Sequence, residues 1–561
     1  MATISDDGRR PSGPSRFVGA ALEGRPLLAF VAVLLVTGGH TMNLRELGVS
    51  QGWVAAEVYA LQSCYLFSLA VMILACPALS RRRSHRSLTR TGLVLAIIGP
   101  ALTGIEFRDP LSSFLISRAV AGAGAGMVIY SAPKLLPPTW RRPVAWAVIL
   151  CPVVGTGAVA AATMMYESSE WRQGFVFEGV AAALGLVALM SMGPIREAPA
   201  RPPRRPPSYL PSLILATVAL IYVLHWGQLH GWLESPDIAA ATTVFACSAV
   251  VSFFLAWPQI DMRILGENWP RLALFAFGGI CQFFHGYIIN VYGGTMVNLS
   301  TWERAWMIWP MPIGMAVALT LALFTAPHMG RRYGRADYGI LTAVVGLLIL
   351  AVGLNMSYQY MMEWPYWDIR DVADLNWFQA PGQWELAPGR FLMGMGVGMF
   401  MAAMDARSSP DPEREATLRP YLSVAQFASG ALGAAVLINF MIIGHKVHYS
   451  YSSERDSIQA EEMEQREALL LGAFDQVGKD LPVNSSRLRL FQFLNYEADN
   501  LVFATMYFAF LAVALVVAVF FGGLGILRYL GRPRPPTLPY EFVRPRPPNL
   551  RGPGGRAPRG S

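Results

Sequence analysis

Residues 114–129 read FLISRAVAGAGAGMVI, and residues 386–401 read LAPGRFLMGMGVGMFM. Both carry R-x-x-x-G-x-G-x-G-M, the first copy starting at Arg118 and the second at Arg390. Close helix packing explains the glycines Gly122, Gly124 and Gly126, and Gly394, Gly396 and Gly398, because small residues let backbones approach in lipid. Packing alone does not explain an arginine at the same offset in both copies. The flanking loops match as well, RRPVAW (141–146) against LRPYLS (418–423). The chain therefore contains a long internal repeat.

Composition says what kind of chain is repeated. Of 561 residues, 53% are hydrophobic and only 15% are charged, and the mean hydropathy is +0.38. A soluble chain averages about 25% charged residues. A bilayer-spanning helix needs about 20 apolar residues. Apolar runs fall at 26–46, 53–79, 91–107, 111–133, 142–165, 172–192, 211–230, 236–257, 269–290, 303–327, 338–358, 386–405, 418–443 and 499–526, which predicts fourteen spans. The first run is long, lacks a small-residue cleavage site and leads straight into a second, so it reads as a retained helix rather than a signal peptide.

The net charge of +8 is a topology signal. Basic residues gather in the N-terminal tail, in RRRSHRSLTR (81–90), in the 134–142 loop, in REAPARPPRRPPS (196–208), in GRRYGR (330–335) and in the C-terminal tail. The positive-inside rule then predicts that both termini are cytoplasmic. The basic loop 444–498 breaks the alternation, as long loops do. This distribution excludes nucleic acid as a partner. No nucleophile–base pair, P-loop or zinc spacing stands out, so the chain does not read as an enzyme and implies no cofactor. The five cysteines form no metal or disulfide spacing. Met393, Met395, Met399, Met401 and Met404 scatter around their helix, as packing residues do rather than a Cu(I) stripe.

The repeat units are eight spans apart, an even number, so they share one orientation. The expected architecture is all-α, with six helices, two inserted helices and six helices. Parallel halves about an axis along the membrane normal describe the major facilitator fold. Its predicted parts are a cytoplasmic tail (1–25), a first bundle (26–192), a cytoplasmic linker (193–210), the inserted pair (211–257), a second bundle (258–526) with a periplasmic loop (444–498), and a disordered cytoplasmic tail (527–561).

The chain resembles the fourteen-helix drug–proton antiporters of the major facilitator superfamily, the EmrB/QacA-like group. The helix-4 pattern is present at Arg118, Gly122, Gly124 and Gly126, and W-R-x-x-F opens the sixth span at Trp171, Arg172 and Phe175. The family's 2–3 loop motif is altered, with Pro77, Arg81 and Ser84 in PALSRRRSHR. The helix-5 signature in CPVVGTGAVA (151–160) keeps Pro152 and Gly155 but loses the second proline and the glycine pair. The resemblance implies a bacterial inner-membrane exporter of a hydrophobic or amphiphilic small molecule, driven by proton antiport. It also implies a periplasmic adaptor and an outer-membrane channel as partners of the 13–14 segment, which holds GHKVHYSY (444–451) and a run ending in Ala498-Asp499-Asn500. The altered motifs leave open a specialised exporter of one endogenous product, or a membrane scaffold that does not transport.

A charge within a span costs about 2.5–3.5 kcal/mol on insertion scales, so it marks function. Arg118 and Arg390 are the first such residues, with Glu57 and Glu178 as carboxylates that could pair with them and carry protons. His40 stands in the first span where the family carries an acid, and histidine titrates near neutrality. His225 and His230 lie in or near the seventh span. Gln282, His285, Tyr287 and Asn290 place polar groups on the ninth span, the repeat equivalent of the first. Together with Asn43 they are expected to line a substrate cavity.

Overall fold

The computed structural model describes residues 25–36, 44–80, 82–103, 110–136, 172–192, 208–260, 262–296, 301–333, 335–363, 382–406, 412–458, 468 and 483–530. Among them all regular structure is helical. The main helices are α1 (Arg25–Val36), α2 (Leu44–Gln51), α3 (Ala55–Leu79), α4 (His85–Leu102), α5 (Pro110–Leu135), α6 (Arg172–Ser191), α7 (Leu210–Trp226) and α8 (Pro236–Ala256). They continue as α9 (Met262–Glu267), α10 (Trp269–Thr295), α11 (Thr301–Ile308), α12 (Pro310–Tyr333), α13 (Arg335–Glu363), α14 (Gln383–Ala406), α15 (Pro412–Ile458) and α16 (Val483–Leu530). Eight of these are long and apolar enough to cross a membrane, and α7 and residues 306–322 are shorter apolar helices. The described residues of the predicted runs lie mostly on helices, with breaks including Trp53–Val54, 227–230 and Trp309, and those of the first run are shared by α1 and α2. The fifth run, 142–165, lies outside the described residues, as do the N-terminal tail, most of 459–482 and the tail from 531.

The pairings of helices repeat along the chain. α5 packs on α3 and α4, and α14 packs on α12 and α13. α4 packs on α6 and α13 on α16, while α1 meets α5 and α10 meets α14. Each pairing recurs eight predicted spans later, as the repeated sequence requires.

Inside lipid the hydrophobic effect does not drive helices together, so close packing and hydrogen bonds must. The repeated glycines supply that packing. A methyl group built on Gly122 or Gly126 would fall within 3.0 Å of the Tyr65 or Leu69 carbonyl on α3. On Gly124 it would meet the Gly92 carbonyl of α4 at 2.5 Å. In the second copy, Gly394 and Gly398 lie equally close to Met311 and Met315 on α12, and Gly396 meets the Gly346 carbonyl of α13 at 2.5 Å. The outer glycines thus face one neighbour and the middle glycine the other, in both copies.

Among the described residues the two largest apolar cores result from this packing. The first joins Leu28, Leu66, Leu93, Ala125 and Leu189 from α1, α3, α4, α5 and α6, and takes in Phe283 and Phe427 from α10 and α15. The second joins Phe284, Met311, Leu347, Val397 and Tyr507 from α10, α12, α13, α14 and α16, and takes in Ala56 from α3. Each core therefore reaches across to the other. α15 and α3 form this junction, with α7 against both.

Candidate functional site

Arg118 is on the third turn of α5, next to where the helix is packed against α3 by its glycines. Its guanidinium is 1% exposed. The side chain donates from Nη1 to Glu178 Oε2 at 2.7 Å, an ion pair between α5 and α6. Glu178 is brought there because α6 packs on α4, its own neighbour in the bundle. Aromatic rings border the arginine: its Cζ lies 4.6 Å from the Tyr65 ring centroid and 5.3 Å from that of Phe175. Phe175 also meets Phe114 edge-on at 5.7 Å, and the Tyr65 hydroxyl donates to the Leu35 carbonyl of α1.

The pair is incompletely satisfied. Among the described residues, Nε and Nη2 of Arg118 and Oε1 of Glu178 are buried without a hydrogen-bond partner. A buried ion pair needs its remaining protons and lone pairs bonded to offset desolvation. Here the site keeps one acceptor and two donors open, so a proton or a polar group entering it finds bonding capacity. The pair joins a permanently charged group to one that can be neutralised. Protonating Glu178 removes the partner of Arg118.

Glu57, the other acid considered for this role, is elsewhere. Its Oε2 accepts from the Val54 backbone N–H at 3.0 Å and closes the first turn of α3. Arg390, the repeat partner of Arg118, is fully buried on α14. It lies in electrostatic reach of the Tyr507 phenol on α16. Gln282 on α10 is buried, with its Oε1 accepting from Gln426 Nε2 at 2.8 Å and its Nε2 directed at Met401 Sδ at 3.3 Å. This ties α10 to α15 and α14. His40, Asn43, Pro152 and Gly155 lie outside the described residues, and so do the side chains of His285, Tyr287 and Asn290 on α10.

Sequence reasoning missed a second buried pair. Arg271, 2% exposed, makes a bidentate contact to Glu415 at 3.0 and 2.8 Å and ties the start of α10 to α15. The signal was present, since Arg271 stands two residues inside the predicted run 269–290. His225 and Ser63 form another missed contact, Nε2 to Oγ at 2.9 Å.

The sequence model of the Major Facilitator Superfamily matches residues 27–369. The chain belongs to the Major Facilitator Superfamily. It is a membrane transporter of that type, with the multi-pass helical fold and the small-molecule substrates that the superfamily implies. Solved structures agree on the fold. A POT family transporter in complex with a thioalcohol-conjugated peptide has 15% identity and a TM-score of 0.55, covering 91% of this chain and 97% of that one. A bacterial homologue of the human drug peptide transporters PepT1 and PepT2 has 15% identity and a TM-score of 0.54, over 91% of this chain and 99% of that one. The nucleoside transporter NupG has 13% identity and a TM-score of 0.50, over 90% and 98%. At such identities the likeness concerns the fold alone. No curated protein matches the chain.

Proposed function

We propose that this superfamily member exports a hydrophobic or amphiphilic small molecule by alternating access, with proton antiport through the Arg118–Glu178 pair. The observation that carries this reading is the buried ion pair with open bonding capacity, shared between α5 and α6. A carboxylate that exchanges a proton and an arginine partner changes the charge of the site by one unit per proton. Such a change in a low-dielectric site biases conformation strongly. His40, Glu57 and Arg390 are secondary coupling residues in this reading. Gln282, His285, Tyr287, Asn290 and Asn43 line the substrate path. The architecture is fourteen membrane-spanning helices, with bundles 26–192 and 258–526 around an inserted pair 211–257. Both termini are cytoplasmic, in a bacterial inner membrane, and this places the arginine-rich loops on the cytoplasmic side.

The length of α15 and α16 supports a partner outside the bilayer. They have 47 and 48 residues. At about 1.5 Å per residue each is roughly 70 Å long, against about 30 Å for the hydrocarbon core. The surplus stands on the side of the 444–498 loop, where a periplasmic adaptor and then an outer-membrane channel would dock.

Proteoliposomes with an imposed pH gradient test the function. With ethidium as the amphiphilic probe, export predicts probe accumulation and a counterflow of protons read by entrapped pyranine. Binding of probes without any flux or proton movement would instead favour a scaffold, and flux of one compound class alone would favour a specialised exporter.

A further inference from the structure

The inserted helix α7 is bonded to α3 and α15 through three polar contacts, and a fourth joins α3 to α15 beside it. Near its start, the Tyr209 hydroxyl donates to the Leu74 carbonyl of α3 at 3.1 Å. Near its end, His225, 1% exposed, contacts Ser63 Oγ of α3 at 2.9 Å. The Ser63 hydroxyl donates in turn to the Ala431 carbonyl of α15 at 3.3 Å. Ser63 Oγ therefore stands between His225 Nε2 and the Ala431 carbonyl. One residue before, the Leu224 carbonyl accepts from Asn439 Nδ2 of α15 at 2.7 Å. Leu224 is in the last turn of α7, whose carbonyls have no partner within the helix. Asn439 satisfies one of them, and with its second hydrogen bonds its own helix at Ala435, 2.9 Å away.

These contacts are not equivalent. α7 is held to α3 at both of its ends, so it moves with the first core. It is held to α15 of the second core through Leu224, and through Ser63 next to it. The two bonds that reach α15 from α3 and α7, Ser63 to Ala431 and Asn439 to Leu224, lie toward one end of the bundle. That end is opposite the RRRSHR loop, since Ser63 is in the first half of α3 and that loop follows its last turn. The apolar surroundings are tight, with Ile221 and Trp226 of α7 and Phe427, Val424 and Ala428 of α15 in the first core.

The geometry points to α7 as a clamp that holds this end of the transporter shut, with His225 and Asn439 as its positioning residues. For the two cores to part there, both crossing bonds must break. For the opposite end to open, they can stay. The inserted pair therefore biases the equilibrium between the two access states, a role distinct from proton coupling. This inference rests on alternating access, and the experiment separates the two.

The measurement is the distance between spin labels on the full chain in lipid nanodiscs, with its native cysteines replaced. One label pair at Val54 and Val447 reports the clamped end, and one at Arg82 and Thr417 reports the opposite end. Both sites of the first pair are exposed. H225A and N439L are expected to lengthen the first distance and shorten the second. Each lost interhelix bond should change the ratio of states by about threefold. H225Q, whose amide nitrogen reaches as far as Nε2, should restore the original distribution. Ser63→Ala removes only a hydroxyl and gives the same reading should H225A not fold. Distances that interconvert but ignore H225A, S63A and N439L would overturn the clamp. Distances that never interconvert under any condition would overturn alternating access itself. A lower melting temperature with both distances unchanged would reduce His225 to a structural bond.

Discussion

Arg118 shows what one residue does in a medium without water. Its cost is tolerable because Glu178 and two aromatic faces surround it. Removing only one member of a buried pair leaves an uncompensated charge and costs about 3–5 kcal/mol. R118A is therefore expected to lower the melting temperature of the purified protein more than R118M combined with E178L, which removes both charges. Scanning fluorimetry in detergent checks this ordering. The arginine was legible in the sequence, because a charge in an apolar run with a copy at the same offset is hard to explain otherwise. Its partner was only partly legible. The sequence put Glu57 ahead of Glu178, and nothing local says which acid faces the fourth span. The packing of α6 on α4 decides it, and Glu57 is engaged at the Val54 amide. Arg271 was missed because it stands at the rim of its span, where charge seems inexpensive. Its burial comes from α15 lying over it. Arg271→Met alone should destabilise by several kcal/mol, and the Glu415→Leu companion should recover much of it, read by the same melts.

At the level of elements, the glycine repeat behaves as a contact code. Its spacing of two puts the outer glycines on one neighbouring helix and the middle one on another, which only a helix wedged between two partners requires. G122L and G394L should be the most damaging matched pair in the repeat, because the Tyr65 and Met311 backbone carbonyls lie closest to their Cβ positions. Overpacking costs about 1–3 kcal/mol, and more where backbone must move. Gly522 and Gly523 on α16 have open space around them, so G522A should be neutral within error. Size-exclusion profiles after expression distinguish these outcomes. Helix positions were readable from apolar runs. The surplus length of α15 and α16 was not, because the polar segments beyond residue 443 and before 499 carry no apolar period. Residues 444–458 extend α15 and residues 483–498 extend α16, and His445 pairs with Asp499 between the two helices at 2.7 Å.

Among the described residues the molecule has two large cores with one repeated scheme of helix pairs, and α7 touches helices of both. Charge counting along the loops and the shift of eight spans were enough to propose that scheme, because both are properties of the chain as a whole. The junction was not legible. Ser63, His225 and Ala431 are separated by 162 and 368 residues from Ser63 outward, and their chemistry is ordinary taken singly. The central claim concerns the proton. It is tested most directly by comparing wild type with Glu178→Gln in proteoliposomes, measuring ethidium accumulation under an imposed pH gradient and ethidium exchange without one. The account predicts that E178Q loses gradient-driven accumulation while keeping exchange, because an amide keeps the hydrogen bond to Arg118 but carries no proton. Accumulation by E178Q equal to that of wild type would contradict it.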